Sequence, residues 1–288
     1  GYVMIVYLNG EYMPAEQARI SPFDRGFLFG DGIYDATPSY GGRTVALQLH
    51  LDRMNRGLQS IGIENPLTDE QWRDVARNLS EKNGGENLGI YFHVSRGNEG
   101  RRFQGFPMDI KPTVFAMVIN IDPHPEVPDR KLKTGLRAIS TEDLRWRRCN
   151  IKSTALLGNV LHFQESYAAQ KDETIMYNAR RELTEASISN VFIVKEGVVA
   201  TPLLDNQILP GISRHIAVES MRQDGSIQVE ERIVTMDEVH KADEVWITNS
   251  SKHIGPVVEL DGEPVGDGLV GPVWEQAMTI YEAAKFDY

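Results

Sequence analysis

Three prolines fall within six residues in the run Asp122-Pro123-His124-Pro125-Glu126-Val127-Pro128, and they divide the chain. Each fixes φ and removes an amide donor, so neither a helix interior nor a central strand can pass through them. Residues 122–130 are therefore expected to form an extended connector. It separates a small N-terminal domain, residues 1–121, from a larger one, residues 131–288. The length of 288 residues suits this division. A chain of that size buries roughly 75% of its unfolded surface without needing disulfide staples.

On either side of the connector the local patterns mix helix and strand. Residues 1–6 alternate like a strand, and residues 3–8 and 11–14 flank Asn9-Gly10, whose tolerance of positive φ marks a type I′ hairpin turn. A glycine-studded stretch follows from Asp24 to Tyr34, and its three glycines among aromatics predict close backbone approach. Leu51, Met54, Leu58 and Ile61 recur at helical spacing between His50 and Ile61. Thr68-x-x-Gln71 has the form of a capping box and opens a second helix. Residues 88–95 and 112–121, rich in Val, Ile, Phe and Tyr, predict strands. Beyond the connector come residues 132–139, the Lys152 region and a helix at 154–170. Strands are expected near 174–178, 190–194, 227–234 and 244–248, with helices at 212–222 and from Pro272. A hairpin has Asp261-Gly262 at its tip. The fold class is α+β, two domains with a cleft between them as the natural place for a small molecule.

Charge and cysteine usage exclude several function classes. With 30 Lys+Arg against 41 Asp+Glu, the formal charge is −11. That balance disfavours non-specific binding to nucleic acid or to anionic membranes, although a local cluster can still hold a small anion. The single cysteine, Cys149, has no partner for a disulfide or a cysteine-rich metal site. A reducing compartment follows, and a cytoplasmic protein is expected. No apolar run approaches the ~20 residues of a membrane helix. The first residues lack a leader's basic region and cleavage site, and Gly1 ahead of Met4 reads as a clipped terminus. The seven histidines, at 50, 93, 124, 162, 215, 240 and 253, have no zinc-like spacing and read as structural or surface groups.

Four segments can carry chemistry. Lys152 precedes an apolar helix and is flanked by Ile151, Leu156 and Leu157; desolvation there favours the neutral amine and makes it a Schiff-base nucleophile. The ordinary alternative is a lysine that snorkels or pairs with an acid. Leu209-Pro210-Gly211-Ile212-Ser213-Arg214 sets small and polar residues at a helix start, where unpaired N–H groups suit an anion. Thr248-Asn249-Ser250-Ser251 adds hydroxyls after a strand, and Arg53 offers a cation for a phosphate. Glu185 lies in a small-residue loop leading into an apolar strand, where a buried carboxylate needs a cationic or hydrogen-bonding partner. A pyridine nitrogen is one such partner. Each segment alone also reads as an ordinary turn, cap or surface group.

Together these pieces describe a Schiff-base lysine, a pyridinium carboxylate and a phosphate cup. The whole chain resembles the class IV, fold type IV, aminotransferases. The resemblance is carried by Asp24-Arg25-Gly26, Phe29-Gly30-Asp31-Gly32-Ile33-Tyr34, His50-Leu51-Asp52-Arg53, Ile151-Lys152-Ser153, Thr184-Glu185-Ala186-Ser187-Ile188-Ser189-Asn190-Val191-Phe192, Leu209-Pro210-Gly211-Ile212-Ser213-Arg214 and Thr248-Asn249-Ser250-Ser251. It implies a small α/β N-terminal domain plus a larger pseudo-barrel domain that binds pyridoxal 5'-phosphate. It also implies a covalent bond from Lys152 to that cofactor and proton shuttling by the same lysine. Glu185 would meet the pyridine nitrogen and Leu209 would pack on the ring. Arg53, Ile212, Ser213 and Ser250 would hold the phosphate, with Ser189, Asn190 and Gly211 completing the cofactor-binding set. A homodimer is implied, with active sites near its interface.

Within the family the nearest resemblance is to D-alanine (D-amino acid) transaminases, which move an amino group between a D-amino acid and a 2-oxo acid. Tyr34 and Tyr91 stand at their pocket tyrosines, and Ser251 joins the substrate-binding set. Arg96-Gly97-Asn98-Glu99-Gly100-Arg101 resembles the start of their carboxylate-trap loop, so Arg101 or Arg102 is the expected carboxylate clamp. Two departures stand out. Phe103 occupies the position of the family's trap histidine, in a loop one residue longer. Ala36-Thr37 is also smaller and more polar than the pocket residues of those enzymes. Both lean towards the (R)-selective amine transaminases of the same class, the main alternative. Branched-chain amino acid transaminases carry a Tyr where this chain has Leu157, and aminodeoxychorismate lyase shares the scaffold.

Overall fold

The computed structural model describes residues 3–123 and 127–288. Gly1 and Tyr2, at the start of the expected opening strand, and His124, Pro125 and Glu126, within the expected connector, lie outside the described residues. The chain forms two compact units. One comprises Gly1–Pro123 with Ile151–Leu156 and Tyr288; the other comprises His124–Asn150 with Leu157–Asp287. The short segment bearing Lys152 thus belongs with the N-terminal unit.

In the first unit, β1 (Ile5–Leu8) and β2 (Glu11–Pro14) form the expected hairpin, with Asn9 at φ 49° and Gly10 at φ 96°. Next come α1 (Arg25–Phe29), β3 (Gly32–Tyr40), β4 (Arg43–Thr44), α2 (Leu47–Ser60), α3 (Asp69–Asn83), β5 (Asn87–Ser95) and β6 (Thr113–Asn120). The capping box that opens α3 is present: Thr68 accepts from the Gln71 amide, and Gln71 from the Thr68 amide. Among the described residues, six strands pair antiparallel in the order β2-β1-β6-β5-β3-β4. Leu51, Met54 and Leu58 of α2 and Trp72 and Leu79 of α3 share one core with Ile33, Phe92, Val94 and Ala116 of the sheet. Each such side chain contributes about 2 kcal/mol when fully buried.

Strand alternation leaves a second face. Tyr34, Ala36, Tyr91, His93 and Phe115 are half-buried, whereas their chain neighbours Ile33, Asp35, Thr37, Phe92 and Val94 are buried. The expected close approach occurs in the glycine-studded stretch. At Gly30, with φ 64°, a Cβ would lie 2.9 Å from the Ala155 Cα, and at Gly32 it would lie 2.7 Å from the Val94 carbonyl oxygen.

The second unit contains β7 (Leu136–Glu142), α4 (Leu157–Ala168), β8 (Glu173–Tyr177), β9 (Leu183–Ala186), β10 (Asn190–Lys195), β11 (Val198–Thr201), α5 (Ile212–Asp224), β12 (Val229–Glu231), α6 (Met236–His240), β13 (Glu244–Asn249), β14 (His253–Leu260), β15 (Glu263–Pro264) and α7 (Pro272–Ala284). Its mixed sheet runs β12-β11-β10-β13-β14-β7-β8-β9, with β15 beside β14. The parallel pairs are β7–β8, β7–β14 and β11–β12. Ile175, Val191, Ile193, Val245, Ile247 and Val257 lie at its core. Helix α4 begins at Leu157 rather than Thr154, because the preceding residues are spent on pairing with β3.

Candidate functional site

Lys152 is placed by strand-edge pairing. Only the last two residues of β3 pair with β4, which leaves its N-terminal edge open on that side. The Lys152 carbonyl accepts from the Tyr34 amide at 3.1 Å, and the Thr154 amide donates to the Gly32 carbonyl at 3.0 Å. An antiparallel bridge joins Ile33 to Ser153. This short stretch covers the open edge and fixes the lysine beside the half-buried face. The ammonium lies 4.4 Å from the centroid of the Tyr34 ring, a cation–π distance. Lys152 makes no ion pair among the described residues. The expected apolar wall needs correction at one position: Leu157 is 70% exposed, and the Tyr34 ring faces the amine instead.

The tyrosines expected in the substrate pocket meet on this face. Tyr34 and Tyr91 have ring centroids 5.7 Å apart. The Tyr91 hydroxyl lies 2.8 Å from Nδ1 of His93, two residues along the same strand. Burial, reinforced by Tyr34, pushes the Tyr91 phenol up to about 12. Burial also lowers His93 against the pull of Asp24, so the imidazole is neutral and the phenol keeps its proton. His93, grouped in the sequence with the structural or surface histidines, thus lies on the same half-buried face as the two tyrosines. Ala36 stands directly opposite Tyr91. Its neighbour Thr37 points to the other face, fully buried, donating to the Val45 carbonyl at 2.9 Å. Of the Ala36-Thr37 pair, only Ala36 lies on the face of the tyrosines.

Arg53 is held from below the sheet. Its Nε and Nη2 donate to the two Asp35 carboxylate oxygens at 2.9 and 2.7 Å, and His50 Nδ1 lies 2.7 Å from Asp35 Oδ1. Burial alone would raise the Asp35 carboxyl, but Arg53 and His50 overrule it and hold it well below the usual carboxylate range. Burial lowers His50 despite Asp35. Charged Arg53 is thus locked in a fork by an acid that no sequence pattern flagged.

Arg101 and Arg102 occupy the exposed loop after β5. Arg101 pairs with Glu99 at 3.4 Å and lies 4.7 Å from the Phe103 ring centroid. Arg102 lies 5.1 Å from the Phe29 ring centroid and makes no ion pair among the described residues.

In the second unit Glu185 sits on β9, a short buried strand rather than the loop expected for it. Arg145 Nη1 donates to Glu185 Oε2 at 2.8 Å, and the Leu209 amide donates to Oε1 at 3.2 Å. Arg145 is shared with Asp143 through Nε at 3.0 Å and Nη2 at 2.8 Å. One cation between two acids separates their acidities. Burial tends to raise Asp143, but its bonds from Arg145 hold it low. At Glu185 burial outweighs Arg145 and pushes the carboxyl up to about 7. Neither Arg145 nor Asp143 had a sequence signal beyond its charge.

The segments expected to form an anion cup are each ordered by local contacts. Helix α5 starts at Ile212 and Ser213, and its N-cap, Gly211, supplies no side-chain bond to the first amides. A Cβ on Gly211 would lie 2.1 Å from Asn190 Oδ1, and Asn190 Nδ2 donates to the Leu209 carbonyl at 3.0 Å. Asn249 Nδ2 donates to Ser189 Oγ at 2.9 Å, while Asn249 Oδ1 accepts from the Ser251 hydroxyl at 3.0 Å and from the Lys252 amide at 2.8 Å. That side chain shapes the turn bearing Ser250 and Ser251. The buried Thr248 hydroxyl, one residue earlier, has no hydrogen-bond partner. Glu173, missed in the sequence, organises the loop before β10. Its carboxylate accepts from the hydroxyls of Ser187 and Ser189 and from the amides of Thr174, Ser187 and Ile188. No group of three or more His, Cys, Asp or Glu among the described residues is arranged to hold a metal ion.

The family model described as Amino-transferase class IV matches residues 32–260. A D-alanine aminotransferase of Staphylococcus haemolyticus is 36% identical over 271 residues, 94% of each chain. One from Staphylococcus aureus (strain MW2) is 35% identical over 278 residues, 96% of each chain. Among solved structures, a T.th. branched-chain amino acid aminotransferase with pyridoxamine 5'-phosphate superposes with a TM-score of 0.89 at 21% identity. That superposition covers 99% of this chain and 95% of the other, and it bears out the α+β, type IV fold.

Proposed function

This chain belongs to the class IV aminotransferases, and from that premise we propose that it moves an amino group between a D-amino acid of the D-alanine kind and a 2-oxo acid. The names of the curated relatives support the choice of donor. The observation that carries the reading is Lys152 itself, an amine with no acid partner among the described residues, held over an aromatic ring on a half-buried face.

The enzymes of this family use pyridoxal phosphate, and the residues present fit it on three grounds. Burial holds the Glu185 carboxyl up at about 7, and a protonated ring nitrogen beside it would supply the positive charge that favours its ionised form. The start of α5 lacks a side-chain cap. The Thr248 hydroxyl is buried without a partner beside the serine turn. When bound, pyridoxal phosphate supplies the carbonyl that condenses with an amine and the electron sink that loosens the proton on the donor's Cα. Lys152 is proposed to hold the cofactor covalently and, once released, would take the proton from the donor's Cα and pass it to the cofactor's C4′. Glu185 would keep the ring nitrogen protonated, with Arg145 holding that carboxylate in place. Arg53, the amides of Ile212 and Ser213, and Ser250 are proposed to take the phosphate, with Leu209 against the ring. Ser189, Asn190 and Gly211 shape the cup around it. Tyr34, Tyr91 and Ser251 are proposed to line the substrate pocket, and Arg101 or Arg102 to take its carboxylate.

A homodimer in the cytoplasm completes the proposal. Leu157, Val160, Leu161 and Tyr167 leave an apolar surface exposed on α4, which suits a second copy, and Cys149 is a free, buried thiol. A second reading, an (R)-amine transaminase, is favoured by Ala36, which stands opposite Tyr91, and by Phe103 where the trap histidine is expected. Following the visible absorbance of the purified holoenzyme distinguishes them. D-alanine, an L-branched-chain amino acid and (R)-1-phenylethylamine are added in separate runs. The proposal expects D-alanine to bleach the band fastest; faster bleaching by either of the others overturns it.

A further inference from the structure

The loop between β5 and β6 carries Arg101 and Arg102, yet residues 101–106 are exposed and have no regular secondary structure. A segment of that kind ordinarily samples many conformations. Here it is tied to the short helix α1 at three points. Asp24, the helix N-cap, accepts from the Ser95 hydroxyl at 2.7 Å and from the Thr113 hydroxyl at 2.6 Å, gripping both feet of the loop. The Arg25 amide donates to the Gly97 carbonyl at 2.8 Å. The buried Arg25 guanidinium then donates to three successive loop carbonyls: Phe103, Gln104 at 2.9 Å and Gly105 at 3.4 Å. Its Nε donates to Asp31 Oδ2 at 2.8 Å. Asp31 also receives Arg96, through Nε at 2.8 Å and Nη2 at 3.1 Å. Arg96 in turn lies 3.5 Å from the Phe106 ring centroid.

The four arginines divide their work. Arg25 and Arg96 are spent on the protein, through Asp31 and the loop carbonyls. Arg101 is partly neutralised by Glu99. Of these four arginines, Arg102 alone makes no ion pair among the described residues. We infer that Arg25 and Asp31 are positioning residues: they pin residues 101–106 to α1 so that the loop meets a substrate carboxylate already folded, instead of closing over it as a mobile lid. This rests on the proposal that Arg101 or Arg102 binds that carboxylate. Neither Arg25 nor Asp31 need touch the substrate; they act through the loop backbone.

The test uses holoenzymes of wild type, Asp31→Asn and Arg25→Lys. The first removes the shared anion at nearly constant volume, and the second keeps the charge but loses the planar fork that spans three carbonyls. Two readouts are compared. Native-state trypsin cleavage after Arg101 and Arg102, located by mass spectrometry, is expected to accelerate about tenfold in both variants. Steady-state kinetics are expected to show KM for D-alanine raised about tenfold with kcat within about twofold. KM for (R)-1-phenylethylamine, which lacks a carboxylate, should not move. Unchanged cleavage rates overturn the pin. A KM that rises equally for both donors, or a loss confined to kcat, overturns the link to the carboxylate. If wild type does not turn over D-alanine, the donor assignment itself fails, while the cleavage rates still decide whether the loop is pinned.

Discussion

Glu185 and Arg145 show how much one buried pairing constrains the chemistry. With the Glu185 carboxyl pushed up to about 7 by burial against an unfolded value of 4.5, the folded, cofactor-free protein keeps a proton that the unfolded chain has already lost. Its contribution to stability is therefore fully present below about pH 4.5 and declines as pH rises towards 7. The span amounts to about 3 kcal/mol at 1.36 kcal/mol per unit. Urea titrations of the apoprotein at pH 5 and pH 8 should show this loss in wild type and a flatter response in Glu185→Gln. Lys152→Ala should leave the far-UV circular dichroism and melting of the apoprotein unchanged while transamination falls at least ~1000-fold, because the side chain makes no ion pair among the described residues. Retained turnover in that variant removes Lys152 from the mechanism.

At the scale of elements, strand alternation and helix ends decide what each side chain can reach. Ala36 and Thr37 look in sequence like one enlarged corner of a pocket, yet consecutive strand residues face opposite ways, and Thr37 is consumed by the Val45 carbonyl. The start of α5 is similarly exacting. Gly211→Ala would drive a methyl group into the Asn190 carboxamide oxygen, an overpacking that costs roughly 1–3 kcal/mol. Titration with pyridoxal phosphate should show weaker binding of about tenfold or more with the fold intact. At α3, Thr68→Ala removes one half of a capping box and should lower stability by about 1 kcal/mol, measured by urea denaturation. For α4, Leu161→Glu places a charge on an exposed apolar surface. If a second copy covers that surface, sedimentation velocity should show the variant dissociating at concentrations where wild type does not.

For the molecule as a whole, cofactor binding and stability are linked, since a ligand that binds only the folded chain adds its free energy to folding. At a thousandfold excess over Kd the gain is about 4 kcal/mol, a rise in melting temperature that Lys152→Ala should reduce. The amino-acid sequence determined on its own whatever depends on near neighbours: the Asn9-Gly10 turn, the Thr68 cap, the helix from Ile212, the order of the motifs and the lysine set before an apolar helix. Backbone sterics and capping act over a few residues, so those features are legible one segment at a time. The proline run at 123–128 likewise announced a division, but it could not show that Ile151–Leu156 rejoins the first unit. Only the tertiary structure decided which polar groups meet. Asp35 finds Arg53 across 18 positions, Arg145 finds Glu185 across 40, and Arg25 reaches the carbonyls of residues 103–105 nearly 80 positions away. Single polar residues carry no periodicity, and each pairing is fixed by the sheet order and helix packing that bring distant segments together, after which burial makes an unpaired partner too costly to tolerate.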